Sequence, residues 1–176
     1  MEYQKSNFRN KLTRESIFTA LSQLMGKEDY SIISITQITK KAGVSRMAYY
    51  RNYDCKEKII TDYFDYKFNK YLNKEVSSKG VNVNKFLFHC FIFFRNNELL
   101  IKNMMKANLK DVIREKFSQY LKLIYQDKDN NLLPNVSNYS ICYITGGLFE
   151  VLIAWINNEM LESDEKISEI VCNFME

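Results

Sequence analysis

Backbone punctuation is scarce in this sequence, with five glycines and one proline among 176 residues. Together they make up about 3%, where average usage is about 12%. An all-β sandwich or barrel needs a turn about every 8–12 residues and finds little here to build them from. Neither a G-x-G-x-x-G fingerprint nor a Walker A loop occurs, so the common glycine-built phosphate and dinucleotide sites are excluded. The single histidine, His89, excludes any site that needs two imidazoles. The four cysteines (Cys55, Cys90, Cys142 and Cys172) are far apart and form no C-x-x-C, so neither a metal site nor a disulfide scaffold is expected. With no cofactor motif and no nucleophile elbow, an enzyme is not expected either.

Two further absences concern location. The opening residues Met1-Glu2-Tyr3-Gln4-Lys5 are polar and do not resemble a signal peptide, which with the cysteine spacing points to a reducing cytoplasm. The longest apolar run, 141–156, holds Thr145, Glu150 and two glycines. It is shorter than the roughly 20 residues of a membrane span and reads as a buried helix, so no membrane partner is expected.

What the sequence does have is apolar material and an uneven charge. Hydrophobic residues are 46% and aromatics 14%, enough for a sizeable core and too much for global disorder. Residues 1–60 carry a net +5 and residues 61–176 a net −1. The whole basic excess therefore lies in the first third, as expected of an N-terminal unit that meets a polyanion and a body that does something else.

Helical periodicity dominates the chain, and the expected fold is all-α with about nine helices. Residues 1–10 read as a flexible basic arm carrying Lys5 and Arg9. A first helix is expected over 11–26, with Ile17, Ala20, Leu21 and Leu24 inward at i, i+3, i+4 and i+7. Ser34 and Gln37 form an S-x-x-Q capping box that opens a helix over 35–42. Gly43 then supplies a left-handed turn, and Ser45 caps a short helix reaching Arg51. A long helix is expected over 55–76, a linker over 77–84, and helices over 85–96, 98–108 and 109–126. A polar loop over 127–137 holds Pro134, and helices over 138–160 and 164–174 close the chain.

The stretch 34–53 carries the chemistry. Two short helices joined by a tight glycine turn make a helix-turn-helix. Ile35, Ile38 and Ala42 can face Val44 and Tyr49, which leaves Arg46, Met47, Ala48 and Tyr50 outward with Arg51 and Asn52 just beyond. One long cation among small or apolar side chains suits a major groove, where Arg46 can meet guanine O6 and N7 or only a phosphate. Two adjacent tyrosines on a short helix cannot both point inward, which frees one of Tyr49 and Tyr50 for DNA. Aromatics and methionines in the later helices (Phe91, Phe94, Met104, Met105, Phe117, Tyr120 and Tyr143) either line an apolar ligand cavity or form plain core.

Residues 12–60 resemble the N-terminal domain of the TetR family of bacterial transcriptional regulators. The resemblance rests on Thr13-Arg14 and Ile17, Ser34-Ile35-Thr36 and Ile38, Ala42-Gly43-Val44-Ser45, the aromatic pair Tyr49-Tyr50, Tyr53, Lys56-Glu57 and Ile59-Ile60. Met47 and Ala48 depart from the residues frequent at those positions. The 146–155 stretch with its amphipathic last helix resembles a branch common in low-GC Gram-positive bacteria. The family resemblance implies a three-helix DNA-binding head over 11–60 and a helical regulatory and dimerisation bundle over 61–176. It implies that Ser34 and Thr36 bind phosphate at a helix N-terminus, that Ser45, Arg46, Met47 and Ala48 line the groove, and that Tyr50 and Lys56 contact phosphates, with Arg51 and Asn52 adding to them. It further implies a homodimer on a pseudo-palindromic double-stranded operator, a small-molecule effector in the C-terminal part, and action as a repressor, with an activator as the other option. The alternative is a co-regulator of the same fold that acts mainly through protein contacts. The dimer surface would come from Gly146, Gly147, Phe149, Leu152, Trp155, Ile167, Ile170, Val171 and Phe174 on the last two helices, the alternative being that this apolar set is purely internal core.

Overall fold

The computed structural model describes residues 2–75, 83–126 and 137–174, and among them there are nine helices and no strand. In order they are α1 (Glu2–Met25), α2 (Ile35–Ala42), α3 (Arg46–Tyr50), α4 (Lys56–Glu75), α5 (Val83–Asn96), α6 (Glu98–Lys106), α7 (Lys110–Gln126), α8 (Asn138–Asn157) and α9 (Asp164–Asn173). The polar loop around Pro134 and most of the linker expected over 77–84 lie outside the described residues.

Several boundaries differ from the sequence expectation: α8 ends at Asn157 where 160 is expected and α6 at Lys106 where 108 is expected, and two further points bear on the head. Residues 2–10 are the opening turns of α1 and not a separate flexible arm, because nothing in 2–13 breaks a helix: that stretch has neither glycine nor proline. α4 runs unbroken through residue 60, where the charge pattern suggests that the head ends. One rigid helix therefore belongs to both halves of the chain.

The expected inward stripe of α1 is buried as Ile17, Ala20, Leu21 and Leu24. α2 and α3 pack under it through Ile38 and Tyr49, both fully buried, and α4 closes the group with Ile59 and Ile60. The body places α5 against α9 and α7 against α8, with α4 leaning on α7 and α1 touching α6. α8 is long and apolar enough by composition to cross a bilayer, but Ile141, Leu148, Phe149, Leu152, Trp155 and Ile156 are all buried inside this chain. That buried face accounts for part of its apolarity, and the rest lies on its outer side.

The turn after α8 is tightly constrained. Glu159 and Met160 both have positive φ, at 55° and 51°, without being glycine. Arg95 at the end of α5 holds them there. Its guanidinium donates to the Met160 carbonyl (3.1 Å), the Glu162 carbonyl (2.6 Å) and Asp164 Oδ1 (2.8 Å). It also lies 4.9 Å from the Trp155 ring centroid. Removing it leaves two carbonyls and a carboxylate without their charged donor, each such bond being worth about 1.5–3 kcal/mol. Arg95→Ala is expected to lower stability by about 3 kcal/mol in a denaturant titration, and Arg95→Lys to recover less than half of the loss because an ammonium cannot reproduce the fork.

Candidate nucleic-acid interface

The geometry of α2 and α3 begins with their caps. The Ser34 side-chain oxygen accepts from the Gln37 N–H (3.2 Å), and the Ser34 N–H donates to Gln37 Oε1 (2.8 Å). The Gln37 amide in turn donates to Glu28 on the preceding loop (2.8 Å). Gly43 takes φ 67°, ψ 30°, a left-handed conformation that admits glycine without strain, and its N–H closes α2 on Lys40 and Thr39 carbonyls. The chain then reverses into Ser45, whose hydroxyl oxygen accepts from the Ala48 N–H (3.0 Å) and starts α3.

The two tyrosines of α3 divide as steric reasoning requires. Tyr49 is fully buried and Tyr50 is 49% exposed, with the rings edge to face at 5.3 Å. Tyr53, just past α3, is buried and donates its hydroxyl proton to Asp62 Oδ2 on α4 (2.8 Å). Arg14 of α1 grips the same carboxylate from the other side, through Nε (2.8 Å) and through a second contact from its Nη2. Three elements thus meet on one carboxylate, and α3 projects from that junction.

Of the ten residues expected to meet DNA, the structure places Arg46, Met47, Tyr50 and Arg51 together on the exposed face of α3 and its exit, with Ser45 and Thr36 exposed beside the two caps. Ala48 is half-buried. Three expected contacts have work inside the protein. The N–H and hydroxyl of Ser34 are engaged in the capping box. Asn52 donates its amide to the Ala48 carbonyl (2.7 Å) at the end of α3. Lys56 donates to the carbonyls of Tyr30 (2.6 Å) and Ile33 (2.8 Å), with its ammonium 4.4 Å from the Tyr30 ring centroid. It therefore fastens the α1–α2 loop to α4, with one of its three protons left over.

The cavity below this region lies between α4, α5 and α7 and measures about 80 Å³. Its walls include Phe64, Phe68, Phe86, Phe94, Phe117 and Tyr120, and Lys67, His89 and Lys116 also border it. Phe94, Phe117 and Tyr120 are therefore where an apolar pocket needs them. Phe91 and Met104 are buried but do not line the cavity, Phe91 meeting Trp155 edge-on at 5.2 Å. Met105 is half-buried against the core, and Tyr143 is 82% exposed on α8, so neither lines it. Asp65, which the sequence gives no reason to single out, accepts from Lys116 at 2.8 and 2.7 Å and from the Tyr120 hydroxyl at 3.0 Å. Burial raises the Tyr120 phenol and the Cys90 thiol well above their ordinary values, so both stay neutral. Among the described residues, no three His, Cys, Asp or Glu side chains converge as a metal site would require.

The residues named for a dimer seam divide in two. Phe149, Leu152, Trp155, Ile167 and Val171 are buried within the chain itself, so they pack the protomer and are not available to a second copy. Ile170 is half-buried. Gly146, Gly147 and Phe174 face outward, and a Cβ added at either glycine would meet nothing within 4 Å. Tyr139, Cys142 and Tyr143 share the outer side of α8 with the two glycines.

An all-α body carrying a capped helix-turn-helix at its N-terminal end defines the class: a helix-turn-helix transcriptional regulator. A family model described as a transcriptional regulator C-terminal region, of the TetR type, matches residues 81–176. The chain belongs to the TetR family of transcriptional regulators, as the resemblance of residues 12–60 implies. It is similar in structure to a TetR transcriptional regulator from Streptococcus agalactiae 2603V, with TM-score 0.67 and 16% identity over 99% of each chain. It is similar also to the dihydroxyacetone kinase operon activator DhaS, with TM-score 0.65 and 17% identity over 92% of this chain and 93% of that one. No curated protein matches.

Burial of Tyr49 pushes its phenol up to about 12, and its hydroxyl has no partner. A phenol raised in the folded state resists the ionisation that the unfolded chain undergoes near its ordinary value of 10.0. Its contribution to stability is therefore intact below that value and is lost as the pH rises from there through about 12. Tyr49→Phe is expected to leave the melting temperature at neutral pH unchanged or slightly raised, and to flatten its fall in this alkaline window. A melting curve at each pH measures both effects.

Proposed function

We propose that this protein is a cytoplasmic, homodimeric repressor that binds a pseudo-palindromic operator through α3 and changes its DNA affinity when a small apolar molecule enters the cavity between α4, α5 and α7. The observation that carries the reading is the division of labour on α3. Tyr49 and Tyr53 anchor the helix inward while Arg46, Met47, Tyr50 and Arg51 stand together outward. That outward set combines two cations with a phenol and an apolar tip, the mixture that a phosphate-flanked groove floor recognises. The start of α2, where Thr36 is exposed, adds a site for a backbone phosphate.

Support for a second copy comes from the outer side of α8. Tyr139 (87% exposed), Tyr143 (82% exposed) and the open space over Gly146 and Gly147 give an aromatic and small-residue stripe on which a partner helix can approach closely. Dimerisation sets two copies of α3 in fixed relation, and half-sites must then lie about one helical turn or more apart. Support for an effector comes from α4, which lines the cavity with Phe64 and Phe68 and anchors the exit of α3 through Asp62. A ligand that moves α4 moves the reading head.

Two measurements test this. In a titration of DNA taken from upstream of its own gene, Arg46→Ala is expected to cost tenfold or more on the preferred sequence and much less on random duplex. Arg51→Ala is expected to weaken both alike and to reduce the salt slope by about one phosphate per protomer. Unchanged affinity in both variants contradicts the reading. In light scattering at micromolar concentration, the wild type is expected at twice the chain mass and Tyr143→Arg at the chain mass.

A further inference from the structure

Met47 is the one large apolar side chain on the outward face of α3, and at 73% exposed it is the most exposed large hydrophobic residue described in α1–α4. A singly exposed apolar residue is ordinary on a protein surface. This one stands between Arg46 and Tyr50 at the centre of the surface that the proposed function turns toward DNA, so its chemistry there has a consequence.

The neighbouring groups narrow what α3 can read. The oxygen of Ser45 is already an acceptor in the cap of its own helix. Ala48 has no polar side-chain atom, and one N–H of the Asn52 amide is held by the Ala48 carbonyl at the far end of α3. Tyr49 is inside. Arg46 is then the one long side chain at the start of α3 with hydrogen bonds to offer a base edge, and beside it sits a flexible thioether with no hydrogen-bond donor and only a weak acceptor. On the floor of the major groove, the apolar group that marks a base is the C5-methyl of thymine. A methionine can bury that methyl, and it gains nothing comparable from the amino group of cytosine or the acceptors of guanine.

We infer that Met47 is a specificity-determining residue that reads a thymine methyl in each half-site, so that operator choice rests on one hydrogen-bonding contact from Arg46 and one methyl contact from Met47. This rests on the DNA-binding reading above and adds the chemistry of what is read. Burial of a single methyl corresponds to about a fourfold change in affinity, and two half-sites together to about fifteenfold.

The test uses the full chain and DNA that carries the methyl or lacks it. The preferred sequence is first selected from a random duplex pool, and each thymine is then replaced in turn by deoxyuridine, which pairs identically but lacks the C5-methyl. Affinities are measured by fluorescence anisotropy at one salt concentration. The expected result is one thymine per half-site whose replacement weakens wild-type binding about fourfold, while Met47→Ala binds the thymine and deoxyuridine duplexes equally. Met47 is 73% exposed, so the variant is expected to melt as the wild type does. Specific binding that is indifferent to deoxyuridine at every position overturns the role of Met47 and leaves the DNA-binding reading standing. A deoxyuridine effect that persists in Met47→Ala assigns the methyl contact to another residue and also overturns it. A pool that yields no preferred sequence overturns both.

Discussion

The carboxylate of Asp62 is the point on which the presentation of α3 depends. It receives the Tyr53 hydroxyl from the segment leaving α3 and the Arg14 guanidinium from α1, while Asp62 itself sits on α4. A five-residue helix cannot hold its own orientation, because it has hardly more than one turn of internal hydrogen bonds. Its direction is set from outside: Ser45 and Gly43 at the entrance, Tyr49 in the core below, and the Asp62 junction at the exit. The contacts are charge-assisted and hydrogen-bonded on a carboxylate that is only partly exposed, which makes them stronger than a surface ion pair of the same geometry.

That junction also explains why α4 is continuous. One turn further along, Asp65 takes Lys116 and the Tyr120 hydroxyl from α7, so two acids on one helix tie the head on one side and the body on the other. Between the two, Tyr63 stacks on Phe18 of α1 with centroids 3.7 Å apart and donates its hydroxyl proton to Asn97 at the end of α5 (2.7 Å). Head and body are therefore joined by packed aromatics and buried-edge hydrogen bonds, and not by a linker. A change in the cavity wall formed by Phe64 and Phe68 has a short mechanical path to α3.

How much of this was legible beforehand follows from the range of each interaction. The caps were readable because Ser34, Gln37, Gly43 and Ser45 act within a few residues of themselves, and each appears where local chemistry puts it. The inward stripe of α1 and the division of Tyr49 from Tyr50 were readable from periodicity and sterics. Lys56 was not, because its partners are carbonyls 23 and 26 residues away, and no side-chain pattern announces a carbonyl acceptor. Asp62 and Asp65 were not, since their charged partners Arg14 and Lys116 lie 48 and 51 residues distant and an acid on an amphipathic helix reads as solvated. The last two helices show a different limit. Apolar spacing marks Phe149, Leu152, Trp155, Ile167 and Val171 as facing something, but it does not separate the protomer's own core from a second copy. The scarcity of glycine has a sharper meaning in the structure as well. Gly43 is required by its left-handed turn, whereas Gly146 and Gly147 stand over open space.

The central claim is that two copies of α3, each held by its Asp62 junction, meet DNA together. Hydroxyl-radical footprinting of the full chain on a selected duplex tests it most directly. The account predicts two protected patches of equal strength, related by a two-fold axis and centred about one helical turn or more apart, with both weakened together when Arg46 is replaced by alanine. A single patch, protection without symmetry, or a footprint that Arg46→Ala leaves unchanged would contradict it.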